Sequence, residues 1–266
     1  ILFYAVNGLG LGHVTRLLGM AREIRRQRPD TQVLFLTSSE ADVIFREGFP
    51  SVKVPSKNIA REAGLSVPTH ISILHQTAWS VFASFRPHVT VVDTFPCGFA
   101  HELDQVIRWE SSRFVYVYRQ RRDEKAADPA FLSFLDHYDL ILVPHPPGTP
   151  GVVLPAGLPG VYTGSIVIRD RKDLLPADTV RQRLGLPANK KQVLINCGGG
   201  GQEALTGILG RIVNYLNSVA GLHVSVARGS LLPGLTMPGC TIIENYYPVC
   251  ELYHAFDFAI AACGYN

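Results

Sequence analysis

The sequence lacks several patterns that would each point to a definite class of protein. Its five cysteines form no CxxC pair, so neither a zinc site nor a disulfide framework is indicated, and a reducing cytoplasm is expected. No apolar run approaches the ~18 residues of a membrane span, and no basic-then-apolar leader is present. The GxGxxG dinucleotide fingerprint and the Gly-Lys-Ser/Thr end of a phosphate loop are both missing.

A large excess of charge is missing as well. The formal net charge is only +3, and no basic stripe interleaved with aromatic residues occurs, so we expect no nucleic-acid partner. The small excess still allows weak attraction to phosphate-bearing substrates or to an anionic membrane face. Several histidines are scattered without ligand spacing, and we expect no metal site. They are His70, His75, His88, His101, His137 and His145.

What the sequence has in quantity is apolar side chains. Of its 266 residues 47% are hydrophobic and the mean hydropathy is +0.14, enough for a large core and for two domains. The sequence begins inside a predicted strand and stops directly after another, so we expect further residues beyond both ends.

The first sixteen residues contain a strand, a turn and the start of a helix. An apolar run over 1–6 predicts a buried strand, and apolar positions at the 3.6-residue period predict a helix that begins near Gly12 or His13. Glycines at 8, 10 and 12 permit positive φ and a close approach of a ligand to the backbone. Because the free N–H groups at a helix start attract anions, the turn predicts a phosphate site; packing alone is the alternative.

Alternating apolar runs and helical patterns continue to residue 143. Because parallel strands need crossover helices, this alternation predicts an α/β fold with a doubly wound parallel sheet, which binds ligands outside the carboxyl ends of its strands. Strands are predicted at 32–37, 51–55, 88–93, 113–118 and 139–143, helices at 70–85 and 98–110, and a helix cap within 38–40.

Proline and glycine are then concentrated between residues 144 and 164, which predicts a connection between two domains. The second unit repeats the first in kind, with a strand at 192–197, four glycines at 198–201 and a helix from Gln202. Four successive glycines cost more backbone entropy than a chain reversal requires, so a second phosphate-type turn is predicted. Strands at 222–227, 240–244 and 256–262 and a short helix at 249–255 complete this unit.

Three stretches carry a resemblance to a known family: 8–16 (GLGLGHVTR), 196–202 (NCGGGGQ) and 257–266 (DFAIAACGYN). In order and spacing they resemble the GT-B glycosyltransferases, in particular the family 28 branch and its "predicted glycosyltransferase" group. They are also similar to the nucleotide-sugar hydrolase of pseudaminic acid synthesis and to the glycosyltransferase-like domain of plant arabinokinases. The resemblance implies two Rossmann-like domains facing across a cleft. Their expected bounds are 1–150 for the acceptor side, 151–165 for the linker and 166–266 for a partial donor-nucleotide domain.

The resemblance also implies which residues bind the donor. Those expected against the donor diphosphate are Gly198, Gly199, Gly200, Gly201 and Gln202, and a second donor loop would begin with Gly264, Tyr265 and Asn266. Gly10 and Gly12 would face the phosphates or the acceptor from across the cleft. Such enzymes take a nucleotide diphosphate sugar as substrate and need neither an essential metal nor another cofactor. The family's acidic ribose-binding residue would lie beyond residue 266.

Two residues are candidates for the chemistry. His13 is the candidate general base, because the positive end of the helix dipole disfavours its imidazolium form; the alternative is that His13 caps its helix or positions a loop. Asp93, at a strand end, either binds the acceptor, serves as an alternative base or, with Thr94, caps a helix.

Basic residues allow two interpretations each. Arg16, one helical turn after His13, either reaches a phosphate or holds the turn in a salt bridge. A cluster after a strand end either binds an anionic acceptor or forms a solvated loop, and it comprises Arg119, Arg121 and Arg122. The basic face of the first helix either rests on an anionic membrane or is solvated, and it comprises Arg22, Arg25, Arg26 and Arg28.

The function predicted from these residues and the resemblance is transfer of a sugar from a UDP-sugar to an acceptor hydroxyl, without metal and with inversion. The alternatives are a nucleotide-sugar hydrolase and a catalytically silent domain that binds a nucleotide sugar. The expected partners are the donor and a lipid or glycan acceptor, in the cytoplasm, with peripheral contact at the inner membrane face. No oligomeric state is implied.

Overall fold

The computed structural model describes residues 1–6, 11–108, 112–121, 125, 128–154, 157–196, 198, 203–228, 237–244 and 246–261, and only the backbone over 203–206. The chain divides into two compact units. Of the described residues, the first contains 1–6 and 13–167, and the second contains 11–12 and those from 168 to 261. Each unit has a parallel sheet of its own.

The sheet of the first unit has seven strands, and every neighbouring pair is parallel. The strands are β1 (Leu2–Ala5), β2 (Leu34–Thr37), β3 (Ser51–Lys53), β4 (Val89–Asp93), β5 (Arg113–Val117), β6 (Leu140–Val143) and β7 (Gly160–Tyr162). Their order across the sheet is β3-β2-β1-β4-β5-β6-β7. The chain therefore adds β2 and β3 on one side of β1 and then crosses back to add β4 to β7 on its other side. This reversal of strand order between β1 and β4 is typical of a doubly wound sheet.

Helices cover this sheet. Those described are α1 (Gly12–Gln27), α2 (Val43–Arg46), α3 (Lys57–Glu62), α4 (Val67–Phe85) and α5 (Pro129–Leu135). The predicted start of α1 is confirmed, and its apolar stripe of Val14, Leu17, Leu18 and Ala21 is at most 2% exposed. Because an amphipathic helix gains stability by burying one stripe, the part of α1 up to Ala21 stabilises the first unit.

The helix predicted over 98–110 is wrong for the part that the structure describes. Residues 98–108 form successive turns, with φ of +87° at Gly98 and +64° at His101. A right-handed helix does not allow these angles, and the Glu102 carboxylate accepts two backbone N–H groups of the segment. The apolar spacing that suggested a helix reflects packing instead. Leu103, Val106 and Ile107 are buried in turns.

Two smaller predictions also differ from the structure. No cap for α2 lies within 38–40, because the residue before α2 is Asp42, whose side chain makes no capping hydrogen bond. The predicted connection contains β7, which pairs with β6 as an edge strand of the sheet. The two units divide between residues 167 and 168. The other predicted strands are confirmed, with ends that differ by at most two residues.

The second unit has four parallel strands in the order β10-β9-β8-β11. They are β8 (Lys191–Asn196), β9 (Leu222–Arg228), β10 (Cys240–Glu244) and β11 (Phe258–Ala261). The described helices are α6 (Ala177–Arg183) and α7 (Glu203–Asn217), with 3-10 turns at Arg171–Asp173, Val249–Glu251 and Tyr253–Ala255. The last two turns occupy the place of the short helix predicted at 249–255. The chain reverses its progression here between β8 and β11.

The basic face of α1 is engaged by the first unit itself. Arg22 forms an ion pair with Glu47, Arg26 pairs with Glu23, and the Arg25 guanidinium lies 4.0 Å from the centre of the Phe49 ring. These contacts show that three of the four arginines of this face have partners within the first unit. No helix in the described ranges combines the length and apolarity needed to cross a bilayer.

Candidate functional site

The candidate site lies at the carboxyl ends of β1 and β4 in the first unit. These strands are direct neighbours, with Tyr4 opposite Val92. β2 and β3 extend the sheet on one side, and β5 to β7 extend it on the other. A crevice forms at such a reversal, because the connections that leave the two strands diverge to opposite faces of the sheet. Both candidate catalytic residues come from this point: His13 is the second residue of α1, and Asp93 ends β4.

The structure brings His13, Asp93 and Arg16 into one buried cluster. The His13 Nδ1 atom lies 3.1 Å from Asp93 Oδ1, and Arg16 Nε donates to Asp93 Oδ2 at 2.8 Å. All three residues are at most 5% exposed. The sequence proposed His13 and Asp93 as alternative bases, whereas the structure makes them partners.

The position of Arg16 matches the salt-bridge interpretation. Its guanidinium is 2% exposed and pairs with Asp93. Its charge balances the carboxylate, which a buried ion pair requires.

Thr94 completes the cluster in an uncommon backbone conformation. Its φ is +70°, a left-handed value that costs a β-branched residue conformational energy. The Thr94 hydroxyl donates to Asp93 Oδ1 at 2.6 Å and lies 3.1 Å from His13 Nδ1. The Tyr116 hydroxyl donates to the Thr94 carbonyl at 2.8 Å, which helps to hold this conformation. Sequence analysis considered Thr94 only as a helix cap, and it missed Tyr116 because nothing in an apolar strand marks it.

The cluster keeps Asp93 ionised. Burial raises the pKa of Asp93, but the hydrogen bond to His13, the charge of Arg16 and the Thr94 hydroxyl together lower it below its usual value. An ionised carboxylate only accepts hydrogen bonds, so the His13 Nδ1 atom carries the proton in this contact. In the neutral tautomer that this contact favours, the lone pair lies on His13 Nε2. A histidine oriented in this way by a buried carboxylate can accept a proton from a substrate hydroxyl.

The second unit presents the start of its glycine turn directly after β8. Gly198 has φ of +71°, and its N–H donates to Asn196 Oδ1 at 3.0 Å. The Asn196 amide in turn donates to the Tyr253 hydroxyl at 2.8 Å. Sequence analysis missed Tyr253, which lies in a 3-10 turn 57 residues after Asn196. Its side chain fixes the orientation of the amide that shapes the turn.

Most of the predicted donor residues lie outside the described residues. These are Gly10, Gly199, Gly200, Gly201, Gln202, Gly264, Tyr265 and Asn266. Gly12 is described, and it is the first residue of α1.

The other predicted basic cluster is partly engaged in the first unit. The Arg121 guanidinium lies 3.7 Å from the centre of the Phe131 ring, a cation–π contact. Its backbone N–H donates to the Gly151 carbonyl at 2.9 Å. Arg122 lies outside the described residues. These contacts give Arg121 a packing role.

Among the described residues, Cys97, His101 and Asp104 form a group with ligand atoms within 4.8 Å of one another. The His101 and Asp104 side chains are 62% and 40% exposed and bond to each other. Burial and the charge of Asp104 raise the pKa of Cys97 to about 11, so the thiol is protonated at neutral pH.

The chain is similar to sugar-transferring and sugar-modifying proteins over nearly its whole length. No family model matches it. It is 21% identical over 271 residues to the UDP-N-acetylglucosamine--N-acetylmuramyl-(pentapeptide) pyrophosphoryl-undecaprenol N-acetylglucosamine transferase of Acetivibrio thermocellus, with 95% of this chain and 70% of that protein covered.

Solved structures share its architecture. The spinosyn rhamnosyltransferase SpnG complexed with thymidine diphosphate superposes with a TM-score of 0.55 at 16% identity, over 98% of this chain and 75% of that one. A putative UDP-N-acetylglucosamine 2-epimerase from Listeria monocytogenes gives 0.61 at 10% identity, over 100% and 75%. The chain has the GT-B fold. The resemblance carried by the three motifs is thereby confirmed for the fold.

The GT-B fold does not by itself select a reaction. A transferase and a protein described as an epimerase both superpose on this chain, so the chemistry has to follow from the residues of the site.

Proposed function

We propose that this chain transfers a sugar from a nucleotide diphosphate sugar to an acceptor hydroxyl, with His13 as the general base. The observation that carries the proposal is the buried contact between His13 Nδ1 and Asp93 at the chain reversal of the first sheet. A general base for a hydroxyl is an imidazole with an unprotonated Nε2, and the contact of Nδ1 with Asp93 supports that tautomer.

The proposed step is a single displacement. The acceptor O–H proton moves to His13 Nε2 while the acceptor oxygen forms a bond to the anomeric carbon of the donor. The bond from that carbon to the diphosphate breaks, and its electron pair leaves with the nucleotide diphosphate. Asp93 stabilises the imidazolium that forms, since its ionised carboxylate accepts a hydrogen bond from the Nδ1–H group. Attack opposite to the leaving group inverts the anomeric centre.

We assign the donor diphosphate to the glycine turn after β8, where backbone N–H groups and the start of α7 would stabilise the leaving group without a metal. The amino end of a long helix supports this assignment, because α7 spans Glu203–Asn217 directly after the turn. A uridine diphosphate sugar is the proposed donor. It is supported by the uridine donor in the name of the Acetivibrio thermocellus protein, and the thymidine diphosphate of SpnG makes thymidine the first competitor.

The acceptor is proposed to be a lipid or a glycan with a free hydroxyl. A polyprenol-linked acceptor is named for the Acetivibrio thermocellus transferase, which supports the lipid source and a peripheral contact with a membrane. Lipid-linked and free glycan acceptors are therefore separate arms of the assay.

The first experiment measures nucleotide binding. A thermal-shift panel of uridine, thymidine, guanosine and cytidine diphosphates identifies the base, because a ligand that binds only the native state stabilises it in proportion to affinity and concentration. Stabilisation by uridine diphosphate alone is expected. Stabilisation by another nucleotide alone would replace the proposed donor.

The second experiment measures turnover in the intact protein with and without acceptor. We expect nucleotide diphosphate release only with acceptor, and a decrease in kcat of roughly 10²–10⁴-fold in His13→Gln with unchanged nucleotide affinity. His137→Gln, at an exposed histidine of the same unit, is the matched control and should retain wild-type turnover. Wild-type turnover in His13→Gln would remove His13 from the mechanism.

The same assay separates the alternatives. Rapid release without acceptor would indicate hydrolysis. Conversion of the sugar without release would indicate epimerisation. Nucleotide binding without either would indicate a silent binding domain.

A further inference from the structure

Glu102 is a buried carboxylate for which the proposed chemistry has no use. The residue is 3% exposed. Its Oε1 accepts a hydrogen bond from the Tyr4 hydroxyl and from the Phe99 N–H at 3.3 Å, and its Oε2 accepts the Ala100 N–H at 2.6 Å. A buried anion is tolerated only when such donors satisfy it.

The residues around Glu102 leave space for its carboxylate and donate hydrogen bonds to it. Gly98 has φ of +87°, and a Cβ atom at that position would lie 2.6 Å from Glu102 Oε2. Tyr4 is fully buried in β1, and burial and the charge of Glu102 both raise its pKa, so its hydroxyl stays protonated as a donor. Glu102 therefore joins the segment that follows β4 to the neighbouring strand β1 through the Tyr4 hydroxyl.

A continuous set of contacts leads from Glu102 to the imidazole. The backbone N–H of Phe99 is fixed by Glu102 and also donates to the Tyr4 hydroxyl at 3.2 Å. The Phe99 ring meets the Phe95 ring edge to face, with 6.0 Å between centres. The Phe95 ring stacks on the His13 ring at 6.4 Å with 29° between the planes. The Phe95 ring thus links the imidazole to the segment whose backbone Glu102 binds.

We propose that Glu102 is a positioning residue that fixes the His13 imidazole for proton transfer, acting through the backbone of Phe99 and the rings of Phe99 and Phe95. The inference deepens the proposed function and rests on it for its catalytic meaning. Its structural part, that Glu102 determines the setting of the His13 ring, is independent of the reaction. Glu102 touches no reacting atom.

The informative substitution is Glu102→Gln. A carboxamide has one accepting oxygen, so it satisfies either the Ala100 N–H or the Phe99 N–H and presents its own NH₂ group to the other. The segment has to move to relieve that contact, and Phe95 moves with it. Tyr4→Phe is a second variant in case Glu102→Gln does not fold, because it removes a donor to Glu102 and leaves the carboxylate in place.

Thr90→Ala is the matched control. The Thr90 hydroxyl is buried and bonded to Ser112 at 3.0 Å, in the same strand β4 but away from its carboxyl end. We expect Thr90→Ala to lower the stability of the first unit without altering the contacts of Phe95 and Phe99. An equal change of the His13 signals and of kcat in all three variants would reflect a general loss of stability and not a loss of positioning.

Two measurements test the proposal. In Glu102→Gln, we expect the ¹⁵N and ¹H signals of the His13 imidazole to shift or broaden, kcat to fall at least ten-fold, and the affinity for nucleotide diphosphate to stay within two-fold. In Tyr4→Phe the same changes should be smaller, and in Thr90→Ala the His13 signals should match the wild type. Wild-type His13 signals in a folded Glu102→Gln variant would overturn the proposal, as would equal changes in Thr90→Ala.

The two proposals fail separately. If the wild type shows no sugar transfer but Glu102→Gln still alters the His13 signals, the proposed function is wrong and the positioning role stands. If transfer occurs and Glu102→Gln leaves both kcat and the His13 signals unchanged, the positioning role is wrong and the proposed function stands.

Discussion

The buried pair of Asp93 and Arg16 gives a prediction in which stability and activity respond differently. Asp93→Asn leaves the Arg16 guanidinium, 2% exposed, without its carboxylate. Removing one partner of a buried ion pair costs about 3–5 kcal/mol, so the free energy of unfolding of the first unit should fall by that amount. The same substitution removes the group that orients His13, and kcat should fall by roughly 10²–10⁴-fold.

The double variant Asp93→Asn with Arg16→Met separates the two effects. Replacing both charges of a buried pair by neutral side chains is often close to neutral for stability. We therefore expect the double variant to lose less unfolding free energy than the two single variants lose together, by at least about 2 kcal/mol. Its activity should stay as low as that of Asp93→Asn, because His13 still lacks its carboxylate.

The assay is urea unfolding followed by tryptophan fluorescence. Both tryptophans, Trp79 and Trp109, precede residue 168, so the signal reports on the first unit. With a slope of about 1–3 kcal/mol per molar urea, the expected loss in Asp93→Asn lowers the midpoint by more than about 1 M. Strictly additive losses in the double variant would refute the energetic coupling. Wild-type kcat in Asp93→Asn would refute the orienting role of Asp93.

Three further predictions follow from single contacts. Tyr253→Phe should weaken nucleotide diphosphate binding by about 2–10-fold, as measured by titration calorimetry, because one net hydrogen bond to Asn196 is lost. The kcat at saturating donor should not change. Tyr215→Phe, at an exposed tyrosine of the same unit, is the control, and an equal effect there would refute the role of Tyr253. Cys97, with a pKa of about 11, should have about one thiol in a thousand ionised at pH 8 and react with iodoacetamide far more slowly than glutathione, as measured by peptide mapping; alkylation at the glutathione rate would contradict the burial. Because the pKa of Asp93 in the folded state is below its usual value, the contribution of Asp93 to stability is present above about pH 4 and is lost as pH falls through the lowered pKa. Below pH 4 the melting temperature of the wild type should therefore fall more steeply than that of the Asp93→Asn, Arg16→Met variant. Parallel melting curves would exclude this linkage.

Most of the strands and the two long helices next to glycine turns could be predicted from the sequence, because each carries its own signal. α1 begins where the glycine spacing and the 3.6-residue period place it, and β8 ends where the glycines begin. The segment 98–108 could not be predicted in this way. Its apolar spacing is helical, but the angle at His101 and the backbone bonds of Glu102 arise only once Tyr4 lies beside it.

The sequence by itself determined the parallel α/β architecture and the placement of His13 and Asp93 at the ends of their elements. Hydrophobic period and backbone freedom are local properties, so a single stretch is enough to read them. Only the tertiary structure decided that the two residues are partners. They are 80 residues apart, and β1 and β4 become neighbours through the order of the whole sheet. The same order turned Arg16 inward to the Asp93 carboxylate and set Glu102 beneath the segment that holds the imidazole, because burial of charge depends on what the neighbouring strand supplies.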